Sequence, residues 1–61
     1  MSNRVRVFVT LLIDYFGDRA YPFALEQVCR FASEGDHHMA DLWAEIADGI
    51  AGQDAMTRQL S

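Results

Sequence analysis

Ala32-Ser33-Glu34-Gly35-Asp36-His37-His38-Met39-Ala40-Asp41-Leu42-Trp43 is the stretch that decides the fold of this chain. Gly35 and Asp36 meet at its centre. Glycine enters the left-handed region without a Cβ clash and commonly stands just past the end of a helix. Aspartate is among the best N-caps, because its carboxylate accepts hydrogen bonds from the free N–H groups of the next first turn. A helix stop followed at once by a helix start predicts an αα-corner, one helix folded back on the next.

On the C-terminal side of the corner, periodicity predicts a helix over 37–51. Met39, Leu42, Trp43, Ile46 and Ile50 form its apolar stripe, and Ala40, Ala44, Ala47 and Ala51 flank it along an edge that another helix can approach closely. Gly49 weakens the last turns by about 1 kcal/mol relative to alanine, and Gly52 is expected to end the helix. Beyond it, 53–61 reads as a frayed or disordered tail in which Met56 and Leu60 are the only large apolar residues.

On the N-terminal side a helix is expected over 21–34, with Pro22 in the first turn, where its missing N–H costs nothing. Its wheel separates Ala24, Leu25, Val28, Cys29, Phe31 and Ala32 from Glu26, Gln27, Arg30, Ser33 and Glu34. Phe23 falls on the polar side and is expected to fold under the preceding loop. A first helix is expected over 3–16, capped by Ser2 or Asn3 and stopped by Gly17. Residues placed 100° apart bring Val5, Phe8, Val9, Leu12, Ile13 and Phe16 to one face, with Leu11 and Tyr15 widening it. Arg4 to Val9 also alternates like a strand. A lone strand would have no partner among helices, so helix is the expected state.

These elements predict an all-α, compact three-helix domain occupying 1–61 as a single unit. A chain this short buries only about 60% of the surface its unfolded form exposes, so its stability is marginal. Yet 51% of its residues are hydrophobic. Either the core is unusually dense or a partner covers some apolar surface.

The net charge is −4, from nine acids against five arginines. That balance opposes nucleic-acid binding, which needs a basic footprint. The one cysteine, Cys29, forbids an internal disulfide and points to a cytoplasmic setting. Arg4 and Arg6 before Val7–Ile13 resemble the start of a signal peptide, but Asp14 closes the run and no small-residue cleavage pattern follows. The run is also too short to span a membrane.

The pattern Phe23-x-x-Glu26, Ala32-x-x-Gly35-Asp36 and Ala40-x-x-Trp43-x-Glu45-Ile46-Ala47 resembles a family of short α-proteobacterial proteins, a domain of unknown function. The resemblance covers residues 15–51, and its most specific part is the spacing from Gly35-Asp36 to Trp43-x-Glu45-Ile46. It implies a small all-α domain and carries no activity, cofactor or site residue with it.

Few residues offer chemistry. His37 and His38 adjoin Glu34, Asp36 and Asp41, a set of zinc- or nickel-ligand types. Adjacent helical histidines diverge by about 100°, however, and a closed zinc site wants four ligands. A solvated helix start is the plainer reading. Cys29 is expected to pack as an inert thiol beside Val28 and Ala32. Asp41, Glu45 and Asp48 line one stripe instead of converging, and they would meet DNA phosphates with like charge if this helix entered a groove. No nucleophile elbow, phosphate loop or metal-hydrolase motif is present. The expectation is therefore no catalytic activity, no cofactor, no nucleic acid and no membrane. Helix one is too anionic at Asp14 for a membrane-surface helix, and Trp43 reads as core.

The apolar arc of helix one, from Leu11 through Phe8, Leu12 and Phe16 to Ile13, spans about 200°, twice what one buried face requires. Val7, Leu11 and Tyr15 recur every fourth residue along its far edge. They are expected to form an exposed strip that binds a protein partner or a second copy of the chain. Competing readings are a metal- or small-ligand-binding protein using His37 and His38, a monomeric domain without a partner, or a strip packed inside the monomer on Phe23, Met56 or Leu60.

Overall fold

The computed structural model describes the backbone of residues 3–60 and the side chains of residues 3–53. Its elements are α1 (Asn3–Phe16), a 3-10 turn (Gly17–Arg19), α2 (Ala20–Ser33) and α3 (His37–Leu60). No strand occurs among the described residues, so the alternating Arg4–Val9 run is helical. All-α architecture is thus as expected, but the helix count needs care. Helical backbone is unbroken over 3–33, and α1 and α2 are two arms of that run bent at Gly17. Counted as uninterrupted runs, the described residues make two helices.

Both bends use glycine in the left-handed region. Gly17 has φ +54° and Gly35 φ +79°, and no other described residue has positive φ. After Gly17, the Ala20 N–H donates to the Gly17 carbonyl, which closes the 3-10 turn into α2. Pro22 then lies in the first turn of α2, where N–H groups have no intrahelical acceptor.

The corner at Gly35 forms as expected and is a Schellman motif. The Asp36 N–H donates to the Phe31 carbonyl at 2.9 Å, and the Gly35 N–H to the Ala32 carbonyl at 3.1 Å. Asp36 also begins α3. Its Oδ1 accepts from the Met39 N–H at 3.2 Å, while its carbonyl accepts from the Ala40 N–H at 3.0 Å. A single residue therefore closes one helix and opens the next. Asp36→Ala is expected to lower stability by about 1 kcal/mol through the lost cap, read as a fall in the denaturation midpoint; an unchanged midpoint would mean the cap contributes nothing.

Helix α3 departs from the expected end at Gly52. It runs through both Gly49 and Gly52 to Leu60 and is 24 residues long. Glycine terminates a helix where the backbone turns left-handed, and neither of these glycines has positive φ. No proline follows to force a stop, so the cost of about 1 kcal/mol per glycine is borne without a break. The expected cap at Ser2 and the side chains of Met56 and Leu60 lie outside the described residues.

Residues from all three α segments form the core. Val5 and Val9 from α1, Ala20 and Ala24 from α2, and Ile46, Ala47 and Ile50 from α3 make one buried cluster, with Leu12, Ile13, Leu42 and Trp43 packed against it. α3 is the common wall, and α1 touches α2 far less than either touches α3. The two fully buried α2 residues are alanines, and Ala40 and Ala47 of α3 are buried as well. Small residues on both helices let their backbones come close, which is what the alanine edge of α3 foretold for those two positions; Ala44 and Ala51 stay exposed.

Candidate protein-interaction surface

The core position of α1 is set by Val5 and Val9, which are fully buried, and by Leu12 and Ile13, which are half-buried. With 100° per residue, that side lies opposite Val7 and Leu11. The strip anticipated from the sequence is accordingly open. Val7 is 58% exposed, Leu11 47% and Tyr15 84%, and Phe8 beside them is 49% exposed. None of them is drawn onto Phe23, whose ring packs elsewhere. At the polar margin of the strip the Thr10 hydroxyl donates to the Arg6 carbonyl at 3.0 Å. Asn3, Arg6, Val7, Thr10 and Leu11 line a shallow open depression along that margin. It is too open to enclose a small molecule, whose site normally buries most of the ligand.

Phe23, which the wheel left on the polar side, stacks on Phe16 with ring centroids 4.8 Å apart and planes 14° apart. It also meets Trp43 edge-on at 5.8 Å and 75°. This aromatic row joins the end of α1, the first turns of α2 and α3, so Phe23 packs between helices. Trp43 serves the interior, in keeping with its place in the apolar stripe.

The buried face of α2 is rotated from the one the wheel selects. Ala20 and Ala24 are buried, Phe23, Gln27, Val28 and Phe31 are half-buried, and Leu25, Cys29 and Ala32 are exposed. The run of apolar side chains at Leu25, Val28, Cys29 and Ala32 draws the expected centre of the face toward Leu25 and Cys29. Packing instead follows the two alanines, because only there can α2 lie close to α3. The expected packing of Cys29 is therefore corrected: the residue is exposed and forms no disulfide. Tyr21 and Leu25 are 42% exposed each and extend the apolar surface onto α2. Cys29 is expected to react with one equivalent of a neutral thiol reagent as completely in the native protein as in the urea-unfolded one. Protection in the native state would contradict the orientation of α2.

His37 and His38 are both exposed at the start of α3. The neighbouring Asp36 carboxylate is engaged in the cap. Among the described residues, no group of three or more His, Cys, Asp or Glu side chains is placed to hold one ion. Zinc titration by calorimetry is expected to show no stoichiometric site tighter than about micromolar; one tight site abolished by His37→Ala would overturn this. Asp41, Glu45 and Asp48 are exposed along α3 and face solvent. No described helix is long and apolar enough to cross a membrane.

Comparison with known proteins adds no relative: no family model, curated protein or solved structure matches the chain.

Proposed function

We propose that this protein is a small, non-catalytic, cytoplasmic interaction module of three helices that binds a protein partner through α1. The observation that carries the reading is the open arc of Val7, Phe8, Leu11 and Tyr15, four large apolar side chains on one helix, each about half exposed or more. Single exposed apolar residues are ordinary on protein surfaces; a contiguous patch of them marks interfaces. Aromatic residues at such a patch supply large contact area with few rotatable bonds, the usual chemistry of binding hot spots. The pattern from Phe23 to Ala47 supports kinship with short α-proteobacterial helical proteins as part of the same proposal.

The double substitution Val7→Glu/Leu11→Glu tests whether the arc is free surface. In urea denaturation at low protein concentration, the variant is expected to stay within about 1 kcal/mol of wild type, the range of two surface substitutions. A loss of several kcal/mol would mean that these side chains belong to the core, and the proposal would fall.

A further inference from the structure

We propose that the occupant of the α1 face is an acidic amphipathic helix of another protein, with its carboxylates on Arg4 and Arg6 and its apolar ridge along Val7, Leu11 and Tyr15; the inference rests on the reading of α1 as the interaction face. Val7, Leu11 and Tyr15 form an i, i+4, i+8 row, the kind of ridge that seats in the groove of a facing helix. The row spans about 12 Å along the helix axis, roughly two turns. Apolar anchors at that spacing suit a helical partner.

Charge selects the sign of the partner. Arg4 and Arg6 stand in the first turn of α1, which holds no acid, and Asp14 stands in its last turn, which holds no base. Anions are favoured at helix N-termini and cations at C-termini, so both ends of α1 are charged against its own dipole. α2 follows the rule, with Arg30 in its last turn. Nothing described within the chain offsets the arrangement on α1. Neither Arg4 nor Arg6 forms an ion pair with a described carboxylate, and both are exposed. The acids lie elsewhere: residues 1–33 hold four of the five arginines, and 34–61 hold six of the nine acids. Arg4 sits within about 20° of Leu11 on the wheel, and Arg6 lines the same depression as Val7 and Leu11. Both cations therefore border the apolar strip. A local rule broken without an intramolecular gain is expected where a chain carries function. Carboxylates laid over this first turn would meet two guanidiniums and the positive end of the helix together. Asp14 lies about 12 Å beyond Arg6 along the axis, which leaves the N-terminal end cationic.

Two synthetic peptides of about three heptads test this, each with leucine at heptad spacing, one with glutamate and the other with lysine at the flanking positions. In fluorescence anisotropy against the full chain, the acidic peptide is expected to bind at least tenfold more tightly than the basic one. Arg4→Gln and Arg6→Gln are each expected to weaken the acidic complex about threefold, and together about tenfold. Arg30→Gln, the same loss of charge on α2, is expected to leave it unchanged. The free Arg4→Gln/Arg6→Gln variant is expected to unfold in urea at or above the wild-type midpoint, because it removes cations from a helix N-terminus. Equal binding of the two peptides, equal weakening by Arg30→Gln, or a lowered midpoint for the double variant would overturn the proposal. So would tighter binding to equimolar phosphatidylcholine–phosphatidylserine vesicles than to the acidic peptide, which would assign the face to a lipid surface. Sedimentation equilibrium showing that copies of the chain associate more tightly than the acidic peptide binds would assign the face to a second copy instead. No binding of the acidic peptide up to about 1 mM, beside a Val7→Glu/Leu11→Glu variant that folds normally, would overturn the acidic helix while leaving α1 as the face for another protein. The same result with an unfolded Val7→Glu/Leu11→Glu variant would sink both.

Discussion

Ile46→Ala is expected to lower the melting temperature by about 12–24 °C, the largest effect expected among the fully buried side chains. Ile46 is 1% exposed and, with Val5 and Val9, is one of the largest fully buried side chains. It sits on α3, against which both other helices pack. Truncating a buried isoleucine to alanine costs about 2–5 kcal/mol through lost transfer free energy and the cavity left behind. For a domain of this size each kcal/mol moves the transition by about 4–8 °C, so a mid-range cost of about 3 kcal/mol gives the stated shift. A chain this short has little margin, at about 0.05–0.15 kcal/mol per residue. Ile46→Val, which removes one methyl group, is expected to cost about 1 kcal/mol. Thermal melts followed by circular dichroism decide it: an alanine variant that melts like wild type would mean that α3 does not hold the three segments together.

Gly35→Val is the second large effect. A Cβ added at Gly35 would meet nothing within 4 Å, so crowding contributes nothing to the cost. What remains is backbone conformation: φ there is +79°, a region that a β-branched residue strongly resists. The expected loss is about 1–3 kcal/mol. Gly35→Asn separates this cause from any other, because asparagine enters the left-handed region with less strain. It is expected to retain most of the stability that valine loses. Equal losses for both, measured as denaturation midpoints, would show that something besides φ makes this position need glycine.

The corner is legible in the sequence because its signals are local. A left-handed glycine and a capping aspartate act within one turn, so Gly35 and Asp36 can be read without knowing what the helices touch. The bend at Gly17 and the place of Pro22 are legible for the same reason. The orientation of α2 is not. Its wheel carries apolar residues across more than half the circle, and the choice between the Leu25/Cys29 side and the Ala20/Ala24 side depends on how closely α3 can approach. That is a property of two helices together. Gly52 misleads on similar grounds: it permits a stop, but a stop also requires the chain to turn left-handed there.

The strip on α1 is legible because it follows from a surplus. A helix with an apolar arc of about 200° in so small a chain must leave part of that arc uncovered, wherever its neighbours sit. Val5 and Val9 identify the covered part, and Val7, Leu11 and Tyr15 the open part. The exposed Leu25 of α2 is hidden from the same argument, because its wheel assigns that residue to the packed face.

The most direct test of α1 as the interaction face is a series of amide NMR spectra of wild-type protein from about 10 µM to 1 mM, the range in which a small interface forms. Concentration-dependent shifts are predicted at Val7, Phe8, Leu11 and Tyr15, with Asp41, Glu45 and Asp48 on the exposed side of α3 unmoved. Shifts centred on α3, with α1 unchanged across the series, would contradict the account.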